Sequence, residues 1–379
     1  MIISENSIIN VLHIVSGDLW AGAEVQLFTL VKALNKRPDT VVNVIVLNHG
    51  TLEQKLLEHG INVVIIDEKI FSSFDILLRL IRAVKDIQPD VIHTHRVKEN
   101  ILGSIAALVN GNIPSLRTAH GAAEHKPAWY QISKRLILYL DWLSAMILQS
   151  KIIAVSSELS KILKTTFPDK KVVVIENGID IESLPLTTPN PLATHSRASS
   201  IKICFAGRLV PIKRIDLLIL TARFIKETYP NLSINFHIYG DGPLKDDLKR
   251  LNIKSQTENI VHFEGHCDKL HAELKKMDAL LLTSDHEGLP MILLEAMALK
   301  IPIIAHATGG IPDLLNHGKC GFLVNEHTAQ GYAKKILQLY EQPEESSKKT
   351  LQAFVRVNNL YSGKENANKY SKEYKKLIK

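Results

Sequence analysis

Short apolar runs rich in valine and isoleucine recur through the first half of the chain, with segments of helical periodicity between them. The runs are NVLHIV, VVNVIVL, INVVIID, DVIHTH, SLRTAH, KIIAVSS and KVVVIEN. They are apolar on both faces rather than alternating, which is typical of strands in a parallel sheet covered by helices on both sides. The first half is therefore predicted to be a doubly wound α/β domain.

The rhythm breaks at LPLTTPNPLATHSRASS, where Pro, Ser, Thr and Asn concentrate without any apolar period. It resumes in the runs IKICFAG, SINFHIYG, NIVHFEG, ALLLTS, PIIAHA and GFLV. We predict a Rossmann-like domain over residues 1–185, a linker over 186–200 and a second Rossmann-like domain over 201–360. The lysine-rich residues 361–379 are predicted to form a surface helix, and whether it packs back on the first domain is left open.

Composition narrows the class of protein. A chain of 379 residues is too long for one compact core, and 45% hydrophobic with 22% charged residues is typical of folded soluble proteins. The net charge of +7 raises nucleic acid as a partner, but the lysines are scattered and no basic run contains stacking aromatics, so none is expected. Cys204, Cys267 and Cys320 are far apart and form no Cys-x-x-Cys pair. With no signal peptide and no apolar stretch of bilayer length, a cytoplasmic location is expected.

Two glutamates follow the predicted strand ALLLTS, in SDHEGLPMILLEAMA. Pro290 suits the first turn of a helix, which places Glu287 in the loop before it and Glu295 inside it. Free amides at a helix start attract phosphate, and an inner carboxylate can accept hydrogen bonds from a ribose diol. The alternative is that Glu287 is a capping carboxylate and Glu295 a solvated one, although the apolar neighbours of Glu295 disfavour a solvated face.

Further polar and glycine residues follow other strands. Arg208 and Lys213 in FAGRLVPIK can neutralise a diphosphate that gains charge as a glycosidic bond breaks, or can be ordinary surface cations. The glycines of LWAGAE, GDGP and ATGG permit close backbone approach to a ligand or mark tight turns, namely Gly22, Gly240, Gly309 and Gly310.

Three histidines also lie at predicted strand ends. His120 of AHG can donate a hydrogen bond to a sugar hydroxyl or orient an acceptor, or can be a lone histidine without such a role. His93 and His95 lie on one face of DVIHTH and could bind a metal. No third ligand of suitable spacing is evident, so a packed or hydrogen-bonded pair is favoured.

In this order the motifs resemble glycosyltransferase family 4, a retaining family of the GT-B fold, over nearly the whole chain. They are WAGAE, AHG, ENGID, GRLVPIK, GDGP and, most specifically, the glutamates of EGLPMILLE. The resemblance implies two Rossmann-like domains facing each other across a cleft. Two departures stand out: Ala21 where the family often has a first glycine, and Lys300 where a glycine commonly follows EAMA.

The resemblance also implies roles for these residues. Arg208 and Lys213 would bind the donor diphosphate, and Glu295 would bind the ribose. Glu287 and His120 would lie at the transferred sugar. The full donor-binding set is Gly22, Arg208, Lys213, Gly240, Glu287, Gly288, Leu289 and Glu295, and the catalytic set is His120, Glu287, Arg208 and Lys213.

The implied reaction is retaining transfer from a nucleotide diphosphate sugar, with the diphosphate accepting the proton of the acceptor. No Asp-x-Asp and no nucleophile paired with a base are evident, so neither metal nor cofactor is expected. A UDP-sugar is favoured and GDP-mannose stays open; the acceptor is expected to be a glycan or a lipid-linked glycan of cell-surface polysaccharide synthesis.

Residues 126–151 combine Trp129, Tyr130 and Trp142 with lysines and an arginine. Such a segment can be an amphipathic helix lying on an anionic membrane, which would make the protein peripheral to the membrane, or a core helix of the first domain.

Three alternatives remain to the transferase. They are a sugar-nucleotide epimerase or hydrolase on the same scaffold, a non-catalytic nucleotide-sugar-binding subunit, and a dehydrogenase. The last is disfavoured because no complete G-x-G-x-x-G follows a strand.

Overall fold

The computed structural model describes residues 8–18, 20, 22–121, 131–185 and 200–378. The chain divides into two compact units: Met1–Gly178 with Gly363–Lys379 form the first, and Ile179–Ser362 form the second. The first unit thus ends before residue 185, where the sequence had placed the end of the first domain. The predicted linker lies outside the described residues except for Ser200.

A seven-stranded parallel sheet forms the centre of the first unit, in the order β3-β2-β1-β4-β5-β6-β7. Its strands are β1 (Ile9–Val15), β2 (Thr40–Val46), β3 (Asn62–Ile65), β4 (Val91–Thr94), β5 (Ser115–Ala119), β6 (Lys151–Ala154) and β7 (Val172–Val174). Every apolar run predicted in the first half overlaps one of these strands. All four residues of β4 are buried, as expected of a strand that helices cover on both faces.

Helices connect these strands and form the outer layers. They are α1 (Gly22–Asn35), α2 (Thr51–Glu58), α3 (Ser73–Ile87), α4 (Val97–Val109), α5 (Ile132–Leu143) and α6 (Ser157–Lys164). Local sequence sets several of their ends. The side chain of Ser72 accepts a hydrogen bond from the Asp75 amide at the start of α3, and Ser156 does the same for Leu159 at the start of α6.

The second unit repeats the plan with six parallel strands in the order β10-β9-β8-β11-β12-β13. They are β8 (Ile201–Ala206), β9 (Ile234–Tyr239), β10 (Val261–Gly265), β11 (Ala279–Leu282), β12 (Ile303–His306) and β13 (Phe322–Val324). The helices are α7 (Ile215–Thr228), α8 (Lys245–Lys254), α9 (Leu270–Leu274), α10 (Met291–Ala298), α11 (Ile311–Leu314), α12 (Ala329–Glu341) and α13 (Pro343–Leu360). The predicted fold class, two Rossmann-like doubly wound domains, is confirmed.

The last helix, α14 (Gly363–Leu377), corrects the prediction of a surface helix. It packs against α1, and Ala367, Tyr370 and Tyr374 are buried in the core of the first unit. The prediction failed because this buried stripe is made of tyrosines and small residues instead of aliphatic ones. The sequence had left open whether the segment packs back on the first domain, and in the structure it does.

Helix α5 is not a core helix, because none of its twelve residues is buried. Trp129 and Tyr130, which belonged to the same predicted segment, lie outside the described residues. In the described parts of the chain, no helix combines the length and the apolar character needed to cross a membrane.

Candidate functional site

The loops after β8 and β11 hold most of the predicted site residues of the second unit. These two strands are neighbours although they are far apart in sequence, and the strand order runs outward from them in opposite directions. In doubly wound sheets, ligands bind beyond the carboxyl ends of the strands at such a switch point. The topology therefore brings residues 207–214 and 283–290 to the place where a ligand is expected.

A lysine from one loop meets a glutamate from the other. Lys213 Nζ donates to Glu287 Oε1 over 2.5 Å, and Ser284 Oγ donates to the same oxygen over 2.6 Å. The side chains of Lys213 and Glu287 are 22% and 11% exposed. The pair is thus held in place while part of each side chain remains accessible.

Hydrogen bonds from the backbone fix the two loops to each other. The amide of Asp285 donates to Ile212 O over 2.8 Å, and Thr283 Oγ1 donates to Lys213 O over 2.8 Å. Lys213 ends a short 3-10 turn that begins with Pro211, whose ring restricts the backbone there. These hydrogen bonds between the two loops therefore help to position the Lys213–Glu287 pair.

Glycines allow neighbouring loops to approach closely. Gly309 has φ +59°, and a Cβ at this position would lie 1.7 Å from Glu287 O. The Gly310 amide donates to that same oxygen over 3.2 Å. Gly240 has φ +131°, and its Cβ would lie 1.9 Å from Gly207 O. Gly240 and Gly309 are thus both required for loop packing, whatever ligand binds nearby.

Arg208 differs from Lys213 in having no anionic partner. Its side chain is exposed and forms no hydrogen bond or ion pair with any described residue. Arg214, which is not among the predicted site residues, pairs instead with Asp216 and Asp285. Arg208 is accordingly a cation available to an incoming anion.

The remaining predicted residues of this unit lie on or just before α10. Glu295 is in the second turn of the helix, 13% exposed, with Oε2 3.3 Å from His271 Nε2. Gly288 is half-buried in the preceding loop. The side chain of Leu289 is buried, so this residue can reach a ligand only through its backbone.

Gly22 and His120 belong to the first unit. Gly22 is the exposed first residue of α1, and its neighbour Ala21 lies outside the described residues. His120 follows β5 directly and is half-buried.

Histidines cluster at the switch point of the first sheet, between β1 and β4. His13 of β1 is in register with His93 of β4, and one ring nitrogen from each of His13, His93 and His95 lies within 4.8 Å of the others. The sequence spacing showed no third ligand beside His93 and His95, and in the structure His13 lies next to them. The signal was present, because strands 1 and 4 are neighbours in doubly wound sheets and both carry a histidine.

The nitrogens of this cluster are already engaged in hydrogen bonds. His93 bonds through Nδ1 to the hydroxyl of Tyr374 and through Nε2 to Thr118 Oγ1, each over 2.8 Å. His13 Nδ1 lies 3.1 Å from His95 Nε2, and His95 Nδ1 lies 3.4 Å from His120 Nε2. His93 and His95 are a stacked pair, with ring centroids 4.4 Å apart.

Burial keeps these rings neutral. It lowers the pKa of His13 to about 3 and, together with the charge of Arg96, lowers the pKa of His120 to about 4. The pKa values of His93 and His95 also fall well below the ordinary value, first because of burial and then because of the neighbouring histidines. At neutral pH each ring therefore has one N–H donor and one acceptor nitrogen.

Two models of known protein families match most of the chain between them. Residues 20–183 match the family model described as Glycosyltransferase Family 4, and residues 193–353 match the model described as Glycosyl transferases group 1.

Curated relatives have matching names. The poly(ribitol-phosphate) alpha-N-acetylglucosaminyltransferase of Staphylococcus aureus (strain COL) is 31% identical over 170 residues, which are 44% of this chain and 34% of that protein. The chain thus spans about a third of the length of this relative. The UDP-Gal:alpha-D-GlcNAc-diphosphoundecaprenol alpha-1,3-galactosyltransferase of Escherichia coli is 28% identical over 278 residues, or 69% of each chain.

Among solved structures, HepE of Anabaena in complex with UDP and glucose superposes with a TM-score of 0.83 at 20% identity. The match covers 97% of this chain and 100% of that one. This likeness shows that the two proteins share a fold.

Proposed function

Because the chain belongs to the glycosyltransferases of family 4, we propose that it transfers a sugar from a nucleotide diphosphate sugar to a glycan or lipid-linked glycan acceptor in cell-surface polysaccharide synthesis. A UDP-sugar is the favoured donor. The E. coli relative named for UDP-Gal and the UDP complex of HepE support this choice, and GDP-mannose is the competing donor. The named acceptors of the relatives, poly(ribitol-phosphate) and a diphosphoundecaprenol-linked sugar, support the acceptor class.

The observation that carries the proposal is the pairing of Lys213 with Glu287 beside the unpaired Arg208. A departing nucleoside diphosphate gains negative charge, and two cations at the sheet switch point stabilise that charge. Glu287 would accept hydrogen bonds from hydroxyls of the transferred sugar, and Glu295 would accept them from the ribose. We propose that these cations make the reaction independent of a divalent metal.

Retention of the anomeric configuration is part of the same proposal. The acceptor hydroxyl would attack the face from which the diphosphate leaves, and a diphosphate oxygen would take its proton. His120 would donate a hydrogen bond to the transferred sugar, and Gly22 would lie close to the donor phosphate or the acceptor. Gly240, Gly288 and the backbone of Leu289 would complete the donor contacts.

The test is a transfer assay with UDP- and GDP-sugars, with EDTA or with added Mg²⁺ and Mn²⁺. Lys213→Ala and Arg208→Ala should each lower kcat by about 100-fold or more, because each removes a cation from the developing charge. The matched control is Lys276→Ala, whose Nζ pairs with Glu273 over 2.8 Å at a largely exposed position. Unchanged transfer in both site variants would refute the site, and activity only with added metal would refute metal independence.

We further propose that α5 places the protein on the cytoplasmic face of an anionic membrane, near a lipid-linked acceptor. Ile132 is 75% exposed and Leu136 is 55% exposed, with Lys134 and Arg135 between them. Exposed apolar side chains flanked by cations are typical of helices that bind the interface of a membrane.

Sedimentation with phosphatidylglycerol vesicles tests this membrane contact. Changing both Ile132 and Leu136 to Ser should abolish co-sedimentation, whereas Ile253→Ser, at a position 62% exposed on α8, should preserve it. Equal binding by all three proteins would refute the role of α5.

A further inference from the structure

Three imidazoles of the first unit form a hydrogen-bonded row. His13 Nδ1 lies 3.1 Å from His95 Nε2, and the two rings are inclined by 17°. His95 Nδ1 lies 3.4 Å from His120 Nε2, at the long end for a hydrogen bond, and these rings are inclined by 25°. Ring nitrogens donate and accept in the plane of the ring, so nearly coplanar neighbours are correctly oriented to bond.

Such a row has two arrangements of its protons. Each neutral ring has one N–H and one bare nitrogen, so the donors of successive rings must all point the same way. Either His120 donates to His95 and His95 to His13, or His13 donates to His95 and His95 to His120. The first arrangement leaves His120 with a bare Nδ1, and the second leaves it with Nδ1–H.

The far end of the row distinguishes the two arrangements. His13 Nε2 is buried and has no hydrogen-bond partner among the described residues. In the first arrangement this atom is an N–H donor without an acceptor, which is rare in proteins and costs about 1–3 kcal/mol. In the second arrangement His13 Nε2 is an acceptor without a donor. Buried acceptors that lack a partner are more common in proteins than buried N–H groups that lack one.

We propose that His13 and His95 fix the tautomer of His120, so that His120 is neutral and presents Nδ1–H as a hydrogen-bond donor to the substrate. His13 and His95 are thus positioning residues of the transfer reaction. This inference rests on the proposed role of His120 at the transferred sugar.

A second set of contacts keeps the middle ring in place. His93 stacks on His95, while its two nitrogens bond to Tyr374 and Thr118. Tyr370 in turn bonds to Thr118 over 3.0 Å. Helix α14, which carries both tyrosines, therefore holds the ring of His93 in place. Because His93 stacks on His95, it also fixes the plane of His95.

The same contacts argue against a metal ion at His13, His93 and His95. A metal lies in the plane of each ring that binds it, whereas the rings of His93 and His95 are stacked on each other with centroids 4.4 Å apart. Binding would also break a hydrogen bond of His93 at one nitrogen or the other.

Nitrogen-15 NMR tests the tautomers in the full chain, because protonated and bare ring nitrogens have well-separated shifts. The 16 histidines are labelled, and His13, His95 and His120 are assigned with single variants. We expect all three in the Nδ1–H form at pH 7.5. The Nε2–H form of any one of them would overturn the proposal.

Variants of His95 separate a positioning role from a structural one. Asn places an amide near the position of His Nδ1, so His95→Asn should keep the donor to His120, its tautomer and kcat. Gln reaches only the position of Nε2, so His95→Gln should return His120 to the Nε2–H form that the histidine side chain prefers in water. It should also lower kcat roughly tenfold or more with little change in the KM for the donor. Equal kcat in the two variants would refute the positioning role.

Failure of this inference is distinguishable from failure of the proposed function. If the parent protein transfers no sugar but shows three Nδ1–H tautomers, the row stands and the function fails. If it transfers sugar but His120 has Nε2–H, the function stands and the inference fails. Binding of one zinc ion per chain in equilibrium dialysis, lost in His93→Gln, would also overturn the inference.

Discussion

At the scale of single residues, Gly309 allows its own loop to pack against the loop that carries Glu287. Gly309 has left-handed backbone and lies so close to Glu287 O that any Cβ would overlap it. From the sequence, Gly309 was expected to permit close approach to a ligand or to mark a tight turn. In the structure the close approach is to the loop that carries Glu287.

We predict that Gly309→Ala disrupts this loop. Left-handed backbone costs about 1–2 kcal/mol for alanine, and the overlap with Glu287 O adds to it. The control is Gly265→Ala, because Gly265 has φ +74° with no atom within 4 Å of its Cβ position. In urea unfolding followed through the thiols of the second unit, Gly309→Ala should lose at least about 2 kcal/mol more than Gly265→Ala. Equal losses would show that the loop adapts.

At the scale of secondary structure elements, an ion pair attaches α5 to the sheet. Arg117 of β5 donates from Nη1 to both carboxylate oxygens of Asp141 over 2.9 and 2.8 Å. The side chain of Arg117 is 7% exposed and that of Asp141 is 16% exposed, although none of the twelve residues of α5 is buried. This pair therefore contributes to holding α5 in place.

We predict that Asp141→Ala destabilises the first unit by about 3–5 kcal/mol, because Arg117 keeps its charge without an anionic partner. The second unit contains no tryptophan, so tryptophan fluorescence follows the unfolding of the first unit. Asp169→Ala, which breaks a 3.9 Å pair with Lys164 at an exposed site, should cost less than about 1 kcal/mol. Changing Arg117 to Met and Asp141 to Leu together should restore much of the loss. If the double variant is no more stable than Asp141→Ala, lost charge pairing is not the cause.

At the scale of the whole molecule, the chain returns to the unit in which it began. Helix α14 follows the second unit in sequence but supplies Tyr370 and Tyr374 to the core of the first. The hydroxyl of Tyr374 also bonds to His93. Helix α14 therefore belongs to the core of the first unit and forms a hydrogen bond with its histidine cluster.

We predict that truncation after Ser362 destabilises the first unit alone. Each lost aromatic is worth on the order of 3–5 kcal/mol, so the tryptophan transition should move to lower urea or disappear. All three cysteines lie in the second unit, so thiol reactivity during unfolding reports that unit and should change little. Tyr374→Phe, which removes only the hydroxyl, should cost about 1 kcal/mol. Equal shifts of both transitions on truncation would contradict the prediction.

The sequence alone determined the thirteen strands seen in the described residues, the two-unit plan and the loops that carry the candidate donor site. Strand runs and glycine-rich turns are local signals, and each is read within a few residues. Arg208, Lys213 and Glu287 could be singled out because they directly follow or closely flank strands. Their shared position at a switch point follows from the rules of doubly wound sheets.

Only the tertiary structure decided which distant residues meet. The Lys213–Glu287 pair, the third histidine beside His93 and His95, and the burial of the last helix all join residues far apart in sequence. Polar and aromatic residues have partners that no local period specifies, because burial and hydrogen bonding depend on what the fold places opposite them. For that reason the positions of the strands could be predicted from the sequence, whereas the hydrogen-bond partners of their histidines could not.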